Sequence, residues 1–347
     1  MSTYTDQQIQ QALADWPVRF KKYAQSDSSR AILQIITSFG PFIAIWALMY
    51  QSLEWSYGIT WALALLNAFF TVRIFIIQHD CGHRSFFKDQ RWNRIVGWIG
   101  SLFTFIPFQY WAQVHDFHHG HSGQLEVRDI GDIQTMTAKE YAEATPKQRL
   151  AYRIFRMPLI TFVVGPMVYL LRNNRFTLVK LQGWQNNRKW LALNNLFLFM
   201  AYGLGMWAFG WKTFLMIQLP IVFLFAIIAV WFFFVQHQHE LAYKHWKDNW
   251  DYLLSAIRGS SFYNLPGWLH FLTGNIGYHH IHHLNSRIPS YNLVRCAKEN
   301  PDLQQYVTSV TFFKSLQFMF HKLWDEQTER MITFKEFYQR YEPTAKA

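Results

Sequence analysis

The segment "ITWALALLNAFFTVRIFIIQHDCGH", residues 59–83, joins a long apolar run to a pair of histidines. Residues 59–77 are apolar enough to cross a bilayer, which takes about 20 residues at a helical rise of about 1.5 Å per residue. If the helix continues, His79 and His83 stand four positions apart and share one face. The segment therefore predicts a membrane-spanning helix that ends in metal-binding side chains.

Three other stretches have similar length and character: residues 32–50, 190–209 and 214–235. The connecting sequences "QSLEWSYG" and "GWKT" are short, so the four stretches pair as two hairpins. Two shorter stretches, residues 95–111 and 154–171, contain or adjoin prolines and are predicted to be interfacial or half-buried helices. We predict an all-α integral membrane protein with four transmembrane helices in two hairpins and a cytosolic helical cap.

Basic residues orient this arrangement, since the two hairpin loops contain only Lys212 of the 33 Lys and Arg. Because basic loops stay in the cytosol, both termini and the long middle region are predicted to be cytosolic.

Only Cys81 and Cys296 are present, which fits a reduced setting without disulfides. The predicted regions are 1–31 (cytosolic), 32–78 (first transmembrane hairpin), 79–189 (cytosolic or interfacial), 190–236 (second transmembrane hairpin) and 237–347 (cytosolic). The basic residues follow the loops rather than one compact stripe, which argues against nucleic acid as a partner.

Arg73 is the one basic residue inside a predicted span. It lies six residues before His79, which is about 9 Å along a helix. Its side chain either reaches the membrane interface or faces the interior of the bundle.

The fifteen histidines are grouped rather than scattered. Most lie in "HDCGH", "HDFHHGH", "QHQHE" and "GYHHIHHLN". In the second and fourth of these motifs, three histidines occupy positions i, i+3 and i+4, so each motif is expected to direct its imidazoles at one locus. The histidines on these faces are His79, His83, His115, His118, His119, His279, His282 and His283, with His237 as a ninth. His280 stands out of this register.

This number of imidazoles indicates two metal ions, because a tetrahedral zinc uses four protein ligands and a catalytic zinc only three. Imidazole suits Fe, Zn, Cu and Ni, so residue type alone does not identify the metal. The Glu-rich ligand set of soluble di-iron bundles is missing, and an all-nitrogen di-iron centre fits the count. Four carboxylates stand close by in sequence and are available to orient imidazole N–H groups, or alternatively to cap helices or pair with cations: Asp80, Asp116, Asp129 and Asp132.

The motifs "HDCGH", "HDFHH" and "HHIHH", together with two transmembrane hairpins, resemble the membrane fatty acid desaturase family. The wording around the motifs, such as "HSGQLEVRDIGDI" and "TGNIGYHHIHHLNSRIPSYNL", is similar to acyl-lipid desaturases of the Δ12 or ω-6 type. The resemblance implies that the eight histidines of the three motifs bind two Fe²⁺ ions between the spans and the cap, at the end of a narrow acyl tunnel. It further implies an extra ligand from "QHQHE", carried over to His237, with His239 as the alternative.

The activity implied by the resemblance is O₂-dependent insertion of a cis double bond into the acyl chain of a membrane lipid. A bacterial inner membrane is favoured over the endoplasmic reticulum. The sequence shows no haem-binding "HPGG", no C-x-x-C pair and no Gly-rich dinucleotide motif. Electrons are therefore expected from an external donor, such as ferredoxin or cytochrome b5, that docks on the basic cytosolic face.

Two alternatives stay open at the level of sequence. A related di-iron membrane hydroxylase or ketolase, acting on alkanes or carotenoids, would use the same metal centre for oxygen insertion. A membrane metal carrier or sensor is the more distant alternative, since transporters place ionisable ligands near the middle of their spans. Here nearly all the histidines lie beyond the predicted span ends.

Overall fold

A computed structural model describes residues 4–342, which are predominantly helical. In chain order the α-helices are α1 (Asp6–Ala12), α2 (Trp16–Arg19), α3 (Ser28–Ser52), α4 (Tyr57–Gly82), α5 (Gln90–Thr104), α6 (Phe108–His121), α7 (Ala138–Glu143), α8 (Pro146–Phe155), α9 (Gly165–Val168), α10 (Trp184–Phe209), α11 (Trp211–His237), α12 (Tyr252–Arg258), α13 (Gly267–Leu272), α14 (His279–Leu284), α15 (Ser290–Glu299), α16 (Phe312–Ser315) and α17 (Phe334–Tyr341). Short 3₁₀ segments occupy Lys21–Ala24, Leu125–Val127, Lys247–Asn249, Pro301–Tyr306 and Leu316–Phe320, and π-helical turns occupy Ile160–Val164 and Tyr169–Asn173.

The four predicted spans appear as four long apolar helices: α3, α4, α10 and α11. Each has 25 to 27 residues, enough to cross a bilayer, and mean hydropathy over an 18-residue window lies between 1.3 and 2.5. Burial inside the protein is greatest for α4 and α11, at 56% and 44% of that window, against 28% for α3 and 17% for α10. α4 and α11 are therefore the central helices of the bundle, and α3 and α10 lie on its outside. The two central helices are also the ones that end in histidines.

The prediction of an all-α protein is wrong in detail, because two small sheets occur. Strands β1 (Ser261–Asn264) and β2 (Thr308–Thr311) pair in parallel, with Ser261 opposite Thr308 and Asn264 opposite Thr311. Strands β3 (Leu323–Asp325) and β4 (Arg330–Ile332) form an antiparallel pair. Strands of three or four residues are too short to show the alternation of apolar and polar residues that predicts a strand.

Both proline-interrupted stretches are broken rather than single helices. Residues 95–111 divide between α5 and α6, with Phe105 in the left-handed backbone region at the break. Residues 154–171 begin in α8 and continue through π-helical turns, and the two halves meet at an angle of 58°. If this bent pair crosses the bilayer as one broken span, it is a fifth candidate span.

Arg73 faces the interior of the bundle and is only 4% exposed. Its guanidinium donates hydrogen bonds to the hydroxyl of Ser38 on α3 at 3.1 Å and to the backbone carbonyl of Phe271 on α13. Burying a guanidinium is costly unless its N–H groups are hydrogen-bonded, so these acceptors make the position tolerable. Arg73 thereby joins α3, α4 and α13.

The N-terminal segment packs into the same core as the third histidine motif. Ile9, Leu13 and Phe20 belong to a buried cluster with Ile281 and Leu284 of α14. Charged contacts reinforce this packing, including Arg258 with Asp6 and Lys22 with Glu299, the latter at 2.9 Å.

The division into five regions by side of the membrane stays a prediction, and residues 1–3 and 343–347 of its outer regions lie outside the described residues.

Arg156 fastens the C-terminal part of the chain to the end of α11, and we expect its loss to destabilise the protein. Its fully buried guanidinium donates to the carbonyls of Gln134 and His321 and to the side chains of Thr135 and Gln238, at 3.0 to 3.2 Å. Arg156→Leu removes these four hydrogen bonds and should lower the free energy of unfolding by about 3 kcal/mol. Thermal unfolding in detergent micelles measures the change.

The matched control for this substitution is Arg153→Leu. Arg153 is exposed in the last turn of α8, three residues before Arg156, and overlies the rings of Phe334 and Tyr338, at 5.2 and 5.3 Å. Contacts of this kind contribute about 0.5–1 kcal/mol. Equal destabilisation by the two variants would contradict the role assigned to Arg156.

Candidate metal centre

Four elements carry the predicted histidines to one place. His79 lies in the last turn of α4 and His83 caps that helix, while His115, His118 and His119 lie on α6. His237 is the last residue of α11, and His279, His282 and His283 lie on α14. Each motif is helical, as its spacing predicts, so side chains four positions apart share a face.

The nitrogen atoms of five of these side chains form a first group: His79, His83, His115, His119 and His282. One ligand nitrogen from each lies within 4.8 Å of all the others. The group draws on α4, α6 and α14, which are far apart in sequence, and four of its members are buried. Such convergence of neutral nitrogen donors is typical of a metal site.

His118, His237 and His283 form a second group by the same distance. Nε2 of His237 lies 3.2 Å from Nε2 of His118 and 2.9 Å from Nε2 of His279, so His279 adjoins the group as a fourth member. The two groups touch, because the rings of His119 and His283 stack with centroids 4.2 Å apart. All nine predicted histidines are thus assembled around two neighbouring loci.

The expectation that each motif serves one locus is wrong. The second motif sends His115 and His119 to the first group and His118 to the second, and the third motif divides His282 from His283 in the same way. An α-helix turns by about 100° per residue, so neighbouring histidines point in clearly different directions. Each of these motifs therefore bridges the two groups.

The residues present fit metal ions in both groups. Ring nitrogens of His83, His119, His279, His282 and His283 are buried without a hydrogen-bond partner among the described residues. Burial lowers the pKa of His118 to about 4, and burial together with neighbouring imidazoles holds the pKa of His115, His119, His279, His282 and His283 well below the ordinary range. Neutral imidazoles with unshared lone pairs are the form that binds metal.

Two of the four predicted carboxylates contact histidines of the first group. Asp80 Oδ1 lies 3.0 Å from Nδ1 of His79, and its other oxygen accepts a hydrogen bond from the backbone N–H of Ser290 at 2.6 Å. Asp116 Oδ1 lies 3.0 Å from Nδ1 of His83. A carboxylate at Nδ1 fixes the ring orientation and leaves Nε2 free as the ligand atom.

The other two carboxylates differ from each other. Asp132 is buried on the side of the second group and pairs with Lys244 at 3.7 Å. Burial raises the pKa of Asp132, but the ammonium of Lys244, together with the nearby His237 and His118 rings, outweighs burial and lowers the pKa below its usual range. Asp129 is exposed, and within residues 4–342 no contact joins it to a histidine of either group.

Two glycines in left-handed backbone conformations bring loops against the site. Gly274, with φ of +57°, begins the turn before α14, and a Cβ there would lie 2.8 Å from Ile76 of α4. Gly131, with φ of +73°, packs against α6, where a Cβ would lie 3.0 Å from the Cβ of His118. Both positions require glycine, because a side chain would clash and the backbone angle is strained for other residues.

Lys244, which pairs with Asp132, and several aromatic side chains border the two histidine groups, and none of them was predicted from the sequence. Trp111 stacks on His115 at 4.4 Å and meets Phe75 edge-on at 5.0 Å. Phe233 lies 5.1 Å from the His237 ring and 5.5 Å from the His118 ring. Trp111 and Phe233 stand four residues before His115 and His237, one helical turn away, and this spacing is the signal that would have found them.

Six histidines lie outside both groups. Of the two alternatives in "QHQHE", His237 belongs to the second group, whereas His239 is buried near Phe318, with ring centroids 6.3 Å apart. His280 contacts Gln304 at 3.2 Å, and His121 stacks on Phe117 at 4.0 Å. The remaining three, which pack among aromatic rings, are His245, His270 and His321.

Substituting Asp80 is expected to lower activity without preventing folding. Asp80→Asn keeps the shape of the side chain but weakens its contact with the His79 ring, and loss of such partners typically reduces metal affinity or activity by about 10–100-fold. We expect metal bound per chain to fall while the thermal unfolding temperature stays unchanged, and both are measured on the purified variant. Asp116→Asn is the matched control, with a smaller expected effect because the Asp116 carboxylate is 52% exposed. Equal effects of the two substitutions would contradict this account.

Comparison with known proteins agrees with the geometry. The family model described as fatty acid desaturase matches residues 55–314. A protein of Bacillus subtilis (strain 168) named fatty acid desaturase is 40% identical over 313 residues, covering 90% of this chain and 88% of its own. An sn-1 oleoyl-lipid 12-desaturase of Synechocystis is 30% identical over 285 residues, covering 79% of this chain and 76% of its own. An sn-1 acyl-lipid omega-3 desaturase (ferredoxin) of Synechocystis is 25% identical over 243 residues, covering 67% of this chain and 65% of its own.

Proposed function

The chain belongs to the fatty acid desaturase family and is therefore an oxidoreductase, and on this premise we propose that it inserts a cis double bond into the acyl chain of a membrane lipid with two iron ions and O₂. The observation that carries the proposal is the pair of adjoining imidazole groups. The first group, His79, His83, His115, His119 and His282, would hold one iron. The second group, His118, His237 and His283 together with His279, would hold the other.

The reaction removes one hydrogen from each of two adjacent methylenes. With two external electrons and two protons, one O₂ becomes two water molecules as the C–C single bond becomes a double bond. O₂ is the oxidant, and bound iron would activate it for this reaction. The protein must position the acyl chain, because an unactivated methylene offers no charge to bind.

The residues around the two groups are suited to that task. Trp111, Phe75 and Phe233 place apolar rings next to the imidazoles, which favours an acyl chain over water. Asp80 and Asp116 hold two ligand rings in position. The Asp132–Lys244 pair lies on the side of the second group, where it keeps a buried carboxylate charged near the His118 and His237 rings.

We assign the double bond to the Δ12 or ω-6 position. Support comes from the Synechocystis relative named sn-1 oleoyl-lipid 12-desaturase, at 30% identity. The test is expression in a host that lacks polyunsaturated lipid, followed by mapping of double bonds in the extracted acyl chains by mass spectrometry. Oleoyl chains that lose two hydrogens between carbons 12 and 13 are the expected product. Acyl chains that gain an oxygen atom instead would indicate a hydroxylase and overturn the proposal.

For the electron donor we propose an acidic ferredoxin that docks on the histidine side of the spans. One relative carries ferredoxin in its name, and the basic residues of this chain lie almost entirely outside the hairpin loops. Electrostatic docking slows at high salt. Reduction rates that do not change with ionic strength would contradict this docking mode.

We place both termini and the histidine groups on the cytosolic side of a bacterial inner membrane. The distribution of basic residues supports this orientation, and the Bacillus subtilis relative supports a bacterial setting. Labelling of an introduced cysteine at the exposed residue Gln339 in intact cells tests the orientation. Reaction with a membrane-impermeant thiol reagent before lysis would contradict it.

A further inference from the structure

Two short segments leave the β1–β2 sheet at the same edge. The strands are parallel, so the residues that follow Asn264 and Thr311 emerge side by side. Helix α13 begins three residues after β1, and residues 312–320, made of α16 and the turn Leu316–Phe320, follow β2 directly. The sheet thus presents two short helical segments as one surface.

The outward face of this surface is aromatic. Six large apolar side chains are between 37% and 79% exposed: Trp268, Phe271, Phe312, Phe313, Leu316 and Phe320. Water-exposed surfaces rarely present so many large apolar side chains together, and such patches mark sites of interaction with proteins or membranes.

The inward face of the same segments is firmly packed. Phe318 is 2% exposed and belongs to the buried cluster that contains Phe162, Phe232 and Tyr263. The Ser315 hydroxyl lies 3.1 Å from the Tyr263 hydroxyl. The aromatic face is therefore held outward by a fixed scaffold.

The surface lies beside the apolar parts of two candidate spans, not beyond their ends. Arg73 of α4, six residues before His79, donates to the Phe271 carbonyl and overlies the Phe271 ring at 3.9 Å. Trp231 of α11, six residues before His237, donates to the Tyr263 hydroxyl at 3.3 Å. Six residues correspond to about 9 Å of helix. Phe271 therefore lies at the depth of the α4 span, and Tyr263, whose hydroxyl contacts Ser315 of the second segment, lies at the depth of the α11 span.

The charge of the surface fits lipid. Between Asp302 and Asp325 the sequence has no acidic residue, and exposed Lys314 stands beside Phe313. Aromatic side chains flanked by lysine are typical of segments that lie in the membrane interface. A surface that binds an acidic protein would be expected to carry a cluster of cations. This surface has six apolar side chains and one lysine, Lys314, so it matches lipid better.

We propose that this aromatic surface inserts into the hydrocarbon edge of the membrane leaflet on the histidine side. The part of the chain that carries the third histidine motif is then anchored in the bilayer at the sheet edge as well as through α11. This inference concerns membrane contact and holds whatever reaction the histidine groups perform.

The test is the depth of a spin label in full-length protein in lipid nanodiscs. A nitroxide is attached at Phe313→Cys, whose side chain is 79% exposed, while the native Cys81 and Cys296 are buried and protected from labelling. Reference labels are Leu204→Cys, 63% exposed within α10, and Gln339→Cys, exposed on α17. Collision rates with O₂, which concentrates in lipid, and with a nickel chelate, which stays in water, report depth.

The label at Phe313 is expected to behave like the one at Leu204, with frequent O₂ collisions and a nickel collision rate reduced to the Leu204 level. Nickel collisions as frequent as at Gln339 would overturn the proposal. Shielding from both reagents would also overturn it, because that result indicates a protein partner or a second copy of the chain. Phe320→Cys repeats the measurement at a second position, and the readout does not depend on desaturase activity.

Discussion

Replacing His282 with alanine is expected to abolish desaturation and to remove one of the two irons that we propose for each chain. The His282 ring lies among other imidazoles of the first group, with centroids 4.4 Å from His79 and 4.5 Å from His119. Four histidines remain in that group, but the lost nitrogen comes from the only member on α14. Loss of a side chain that only orients a ligand ring typically lowers metal affinity or activity by about 10–100-fold. Loss of a ligand itself should therefore lower activity by more than about 100-fold.

Two measurements on the purified variant check this prediction: iron per chain by mass spectrometry, and double-bond formation in lipid. His121→Ala is the matched control, because His121 adjoins the second motif, lies outside both groups, and has its ring against Phe117 and the Phe117 carbonyl. The control should retain both irons and full activity. An active His282→Ala variant with a full complement of iron would refute the assignment of the first group.

The second large effect concerns two histidines that stand two residues apart. His237→Ala is expected to empty the second group, because Nε2 of His237 lies within 3.2 Å of nitrogens on both His118 and His279. His239→Ala removes an equally buried imidazole that belongs to neither group. Both variants lose a buried side chain at the end of α11. A difference in iron content between them therefore reports whether the histidine is a metal ligand and not the loss of packing.

The expected result is about one iron per chain and no measurable product for His237→Ala. For His239→Ala we expect about two irons per chain and substantial activity. Iron content and product yield are measured on the same preparations, with thermal unfolding to verify that both variants are folded. The opposite pattern would make His239 the ligand.

The spans and the histidine boxes could be predicted from sequence because their signals are local. The apolar composition of residues 59–77 predicts a membrane span, and the four-residue spacing of His79 and His83 predicts that they share one face of a helix. The division of ligands was not predictable in the same way. His118 and His119 serve different groups, and this depends on how α6 is rotated between α4 and α14.

Other features depended on contacts between distant parts of the chain. The pairing of Asp132 with Lys244 joins segments on either side of the second hairpin. The β1–β2 pair also joins distant residues through strands too short to leave a pattern. Arg73 had two predicted orientations, and the Phe271 carbonyl that satisfies it belongs to a helix nearly 200 residues later.

The central claim is that both imidazole groups must hold iron for desaturation, and titration of metal-free protein with Fe²⁺ tests it most directly. Activity is measured after each addition under anaerobic loading, followed by O₂, electron donor and lipid. The account predicts little activity at one iron per chain, a steep rise between one and two, and a plateau at about two, matching the two groups. Activity that rises linearly to a plateau at one iron per chain, or that Zn²⁺ restores equally well, would contradict it.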